Sequence, residues 1–178
     1  ALRRAELDLE RTRVTAPFDA HIISRSANVG SQVSPGEMLG HLVGTDAYWV
    51  EATVPVRSLQ WIAFPGNAGS TGARVEVRNR TAWPDDVARS GSVHRMIGAL
   101  QDQTRLARVL LTVRDPLAHQ PENHGQPPLM IGSFVEARIT GKPLENVVRM
   151  DREFLRQNDT VWVMEDGTLG IRKPEIMF

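Results

Sequence analysis

Between Tyr48 and Gly141 the sequence alternates large apolar and polar residues, with breaks rich in glycine, proline and asparagine. YWVEATVPV (48–56), RVEVR (74–78), SGSVHRMIG (90–98), RLARVLLTVRD (105–115) and GSFVEARITG (132–141) all carry a period near two. Successive side chains of a strand point to opposite faces, so this pattern suits sheets with one buried face. PGNAGSTG (65–72), NRTAWPDD (79–86) and DPLAHQPENHGQPP (115–128) read as the loops between strands. One short stretch, Val56–Phe64, has helical spacing at Leu59, Ile62 and Ala63. Together these features predict a small antiparallel β-barrel with one helix covering an end. Trp49 and Trp162 lie in alternating segments and are expected in the core. Trp61 is expected to pack the short helix onto the barrel end.

Upstream, residues 1–12 read as helix, since Ala, Leu, Arg and Glu dominate. Leu2, Ala5, Leu9 and Thr12 form a narrow apolar stripe, fitting either a short helix on a globular core or the last turns of a long helical hairpin arm. The opening ALRRAELDLERT reads as the interior of something longer, so any leader or membrane anchor is expected in a missing N-terminal part. The period changes at residue 13: Val14, Ala16 and Phe18 alternate, which predicts a first strand there, after Pro17 and the Val14–Thr15 pair end the helix. Ser34-Pro35-Gly36 fits a type II turn, with Pro35 presetting φ and Gly36 supplying φ > 0. Gly30 is expected at a second positive-φ site. The stretch 146–178 predicts three more strands, two of them joined by a hairpin turn at Asp166-Gly167.

Twenty-one Lys and Arg balance 21 Asp and Glu, and the balance is also nearly even within 1–45, 46–141 and 142–178. No segment has the basic surplus that nucleic acid or anionic lipid requires. The absence of cysteine excludes disulfides, zinc thiolate sites and a thiol nucleophile. No apolar run approaches the length of about 18 residues that a membrane helix needs. Motifs for a serine nucleophile elbow, a P-loop, a dinucleotide fold or an HExxH zinc site are all missing. No two of His21, His41, His94, His119 and His124 stand four apart, and His119 and His124 fall in a polar loop. Asp85-Asp86 reads as a turn, not a calcium loop. GNAGSTG (66–72) lacks the lysine and following helix of a phosphate cradle and reads as a hairpin loop. Asn79-Arg80-Thr81 and Asn158-Asp159-Thr160 match the glycosylation pattern, one that chance often produces. The expectation is therefore no enzyme, no cofactor and no metal.

The stretch 5–42, AELDLERTRVTAPFDAHIISRSANVGSQVSPGEMLGHL, resembles the second half of a lipoyl-like domain as it occurs in periplasmic adaptor proteins, also called membrane fusion proteins. The residues that carry the resemblance are Leu9, Thr12, Val14, Ala16, Pro17, Phe18 and Asp19, followed by Val29, Gly30, Val33, Gly36 and Leu39. Ala20 departs from the glycine usual after Asp19 and puts a positive-φ turn there in doubt. DAYWVEATVPVRSLQWI resembles the entry strand and short helix of the adaptor β-barrel. GALQDQTRLARVLLTVRDPL resembles its strand pair, with Arg105 after the turn. The stretch from Pro128 to Lys173 resembles the last barrel strand and the start of the membrane-proximal domain.

The resemblance implies a mainly β chain in four parts: the end of a helical hairpin arm (1–12), half of a lipoyl-like β-sandwich (13–44), a β-barrel (45–141) and a partial membrane-proximal domain (142–178). It is closest to adaptors of resistance-nodulation-division pumps. It implies a non-catalytic link between a proton-driven inner-membrane efflux transporter and an outer-membrane channel, self-associated into a ring in the periplasm. Barrel and membrane-proximal domains would dock the transporter, with the loops 79–90 and 116–128 as docking surfaces. Hinges are expected at Gly44, Thr45 and Asp46, and at Gly141, Lys142 and Pro143. Adaptors of ATP-driven exporters or type I secretion systems are the alternative. A carrier or binding domain of an envelope enzyme is a reading from another class. Lysine is absent from 1–141, so no biotinyl or lipoyl group can be carried there. A plain extracellular β-sandwich would not explain the order of the motifs. Half a sandwich leaves an apolar face and open edges, so residues 13–43 are expected to be poorly ordered, or to pair with a second copy or a separate fragment.

Overall fold

The structure is a computed structural model and describes residues 2–66, 71–101 and 104–176. Two compact units divide it, Ala1–Lys142 and Pro143–Phe178. Helix α1 (Leu2–Arg11) opens the first unit and buries no residue. The backbone N–H and hydroxyl of Thr12 both donate to Leu9 O and close its last turn. No helix among the described residues is long and apolar enough to cross a membrane.

The first strand does not start at Val14. β1 (Ala20–Arg25) pairs antiparallel with β2 (Gly40–Gly44), with a register shift between Ile22 and Ser24. Pro17 has no N–H for a ladder, and Val14 and Phe18 stay exposed. Among the described residues the two strands form a sheet of their own with no third strand on either edge, and Ile22, Ile23 and Met38 face solvent. Val43 of β2 packs against the main core, but most apolar side chains of the hairpin stay exposed, and a two-stranded hairpin with so little covered surface is marginal in water. This hairpin therefore has apolar surface left to bury.

Five strands form the centre of the first unit: β3 (Ala47–Val54), β4 (Arg74–Arg78), β5 (Arg89–Leu100), β6 (Ala107–Arg114) and β7 (Glu136–Ile139). Their order is β3-β6-β5-β4-β7, and every pairing is antiparallel. The sheet curls into a half-barrel around Tyr48, Val75, Val77, Val93, Val109, Leu111 and Val113. Those residues alternate along their strands, so the sequence period and the buried face coincide. β7 is shorter than the alternation of 132–141 implied, because the chain turns at Met130–Ser133, where Gly132 has φ 81. A 3-10 helix, Val56–Trp61, follows β3 and places Ile62 in the core.

The aromatic residues sort differently from expectation. Tyr48 is 8% exposed and Trp49 is 65% exposed, so Trp49 is not a core residue. The buried tryptophan is Trp83, in the loop between β4 and β5. In the second unit, β8 (Val161–Glu165) and β9 (Thr168–Arg172) form a single hairpin. The predicted third strand is absent from the described residues of that unit; Arg152–Phe154 and Gln157–Asp159 are short 3-10 turns instead. Trp162 is 54% exposed and lies under the guanidinium of Arg156, 5.3 Å from its ring centre. It too is no core residue: the buried side chain of β8 is its neighbour Val161, which points to the opposite face of the strand.

Candidate docking surfaces

The 116–128 loop is fixed from beneath. Arg89, at the start of β5, is fully buried and points its guanidinium at both ends of the loop. Nη1 donates to Pro116 O at 3.3 Å and to Pro127 O at 3.0 Å, and Nη2 donates to Asp115 O at 2.5 Å. Burial lowers the Arg89 pKa, while the nearby Asp115 carboxylate raises it. The Asp115 carboxylate accepts three donors from the loop: His119 N–H (2.9 Å), Gln120 N–H (3.1 Å) and Asn123 Nδ2 (2.6 Å). Burial pushes the Asp115 pKa up, but those hydrogen bonds and Arg89 outweigh it and hold the pKa below the ordinary aspartate value of 3.8. Asp115 has φ 45 and Ala118 φ 56, left-handed geometry that this network stabilises. His119 and His124 stand exposed on the outside of the loop.

The 79–90 loop is built on Asn79. Its buried side-chain oxygen accepts the N–H groups of Thr81 and Ala82, both at 3.1 Å, while Trp83 N–H donates to Asn79 O at 2.9 Å. This turn drives Trp83 into the core. Asn79 is therefore an internal cap, and its side chain is not presented to solvent. Arg80 reaches across to Glu136 on β7, and Arg78 Nη1 donates to Asp85 O at 3.1 Å. The ion pair raises the Arg80 pKa and lowers that of Glu136.

A third surface is marked by no motif in the sequence. The outer edge of β3 and the segment 129–135 border an open cleft of about 730 Å³, with Tyr48, Val50, Leu129, Met130 and Phe134 among its walls. Phe134 is 98% exposed. Trp49 stacks on His94 of β5, with ring centres 5.8 Å apart and an interplanar angle of 21°. Beside them Arg108 holds Glu51 in a bidentate pair at 2.5 and 2.7 Å, a hydrogen bond that lowers the Glu51 pKa. Among the described residues no group of His, Asp and Glu could hold a metal ion. The arrangement offers apolar and polar surfaces for contact.

The predicted turn residues fall as follows. Gly30 (φ 88) sits in a turn where Ser31 N–H donates to Asn28 O. Gly36 (φ 87) follows Pro35 in a turn closed by Glu37 N–H donating to Ser34 O. Asp166 (φ 48) and Gly167 (φ 79) both adopt left-handed backbone and join β8 to β9. The predicted hinges are held by contacts. Gly44 lies beside the Phe18 ring, and the N–H and hydroxyl of Thr45 both donate to Asp19 O. Asp46 O accepts Asp115 N–H at 2.8 Å. Gly141 lies close to Trp61 O, and Lys142 donates twice, N–H to Trp61 O (2.7 Å) and Nζ to Gln60 O (2.8 Å). Pro143 begins the second unit. Of the 66–72 loop, residues 67–70 lie outside the described residues.

No family model matches the chain. It is 26% identical over 172 residues to the multidrug resistance protein MdtA of Klebsiella pneumoniae, covering 93% of this chain and 39% of that protein. It is 30% identical over 142 residues to the fatty acid resistance protein FarA of Neisseria gonorrhoeae, covering 78% of this chain and 36% of that protein. A shorter match, 36% identical over 52 residues, joins 29% of this chain to 13% of the multidrug export protein EmrA of Haemophilus influenzae. The chain thus spans under two fifths of the length of the curated relatives it matches. Among solved structures, a membrane fusion protein from Streptococcus pneumoniae aligns with 80% of this chain and 55% of its own, at 14% identity and a TM-score of 0.49.

Proposed function

We propose, from the premise that this chain is a homologue of periplasmic adaptor (membrane fusion) proteins, that it works as the barrel-bearing part of an efflux adaptor. The observation that carries the reading is the match to a multidrug resistance protein along 93% of the chain, through both compact units. The work is geometric and non-catalytic: joining an inner-membrane transporter to an outer-membrane channel, in the periplasm, in a ring of copies. The transporter is of the proton-driven resistance-nodulation-division type, and the cargo is lipophilic, in keeping with relatives named for multidrug and fatty acid resistance. The arm, half lipoyl-like domain, barrel and membrane-proximal portion divide near residues 12, 44 and 141. The segments Gly44–Asp46 and Gly141–Pro143 act as hinges between them, moving only when the hydrogen bonds of Thr45, Asp46 and Lys142 open. The loops 79–90 and 116–128 face the transporter.

The test is in-cell photo-crosslinking of the full-length protein, with probes in the 79–90 loop and after Gly141 and captured partners identified by mass spectrometry. Capture of a proton-driven multi-span transporter is the expected result. An ATP-binding exporter would keep the adaptor role and replace the energy source. No transporter from either position, with the protein expressed and folded, would overturn the docking surfaces.

A further inference from the structure

We draw no further inference here: the strongest candidate, the apolar cleft between the β3 edge and the 129–135 segment, rimmed by Trp49, Met130 and Phe134, is an unpartnered face, and nothing in the structure shows what covers it.

Discussion

The guanidinium of Arg89 donates to Asp115 O at 2.5 Å, while the carboxylate of Asp115 accepts His119, Gln120 and Asn123. One residue holds the end of β6 to the start of β5; the other folds the loop that leaves it. The two functions meet at a single backbone position, so the loop inherits the rigidity of the sheet.

Replacing Arg89 by Met keeps most of the buried stem and removes the donors. The carbonyls of Asp115, Pro116 and Pro127 are then left without that partner. Burying an unsatisfied polar group costs about 1–3 kcal/mol, so the expected loss is about 3 kcal/mol. Urea denaturation should show a lower midpoint with an unchanged slope. A loss within about 0.5 kcal/mol, the range of ordinary surface substitutions, would mean that the guanidinium network is not holding the loop.

The folded pKa of Asp115 is depressed. Its stabilising contribution is therefore fully present above the ordinary value of 3.8 and is lost as pH falls through the folded pKa. Wild type should exceed Asp115→Asn in stability at neutral pH, with the gap closing below about pH 4. Denaturation curves of both proteins from pH 7 downward measure that gap. A gap that stays constant across the acid range would refute the carboxylate's role.

Glycine at 91 is a matter of space. A Cβ there would lie 2.6 Å from the backbone oxygen of Thr112, on the partner strand β6. Gly91→Ala should cost about 2 kcal/mol by forcing β5 from β6. At Gly98 a Cβ meets nothing within 4 Å, so Gly98→Ala should be neutral or slightly stabilising. Thermal midpoints of the two variants side by side decide it; equal shifts would mean that the strand spacing at Gly91 is wrong.

Trp83 fills the core and Trp49 does not. Trp83→Ala should cost about 3–5 kcal/mol, in the range of large-to-small core substitutions. Trp49→Ala should cost under about 1 kcal/mol, losing mainly the stack on His94. Should Trp49→Ala prove the more damaging in denaturant titrations, the assigned face of β3 would be incorrect.

Much of the fold is legible in local sequence patterns. The period-two runs at 48–56, 74–78, 90–98 and 105–115 are β3, β4, β5 and β6, because alternation and backbone pleat are one constraint. Proline and glycine at 35–36, and Asp166-Gly167, mark turns because few residues tolerate the required φ. The first strand is one exception, since Val14, Ala16 and Phe18 alternate around a proline that cannot join a ladder; the shortened β7 and, among the described residues, the missing third strand of 146–178 are the others.

The sequence by itself determined the spacing of the strands, the turns that join them and the lack of catalytic or metal-binding motifs, all of which are properties of neighbouring residues. Tertiary structure decided which of the adjacent aromatics Tyr48 and Trp49 faces inward, because a one-residue change of register against Val113 and Thr112 would exchange them. It also decided that Arg89 would meet Asp115, Pro116 and Pro127, which lie 26 to 38 residues along the chain. No local pattern encodes those contacts. They exist only once β5 lies beside β6 and the loop returns across their ends, excluding water and leaving the guanidinium to be satisfied by carbonyls.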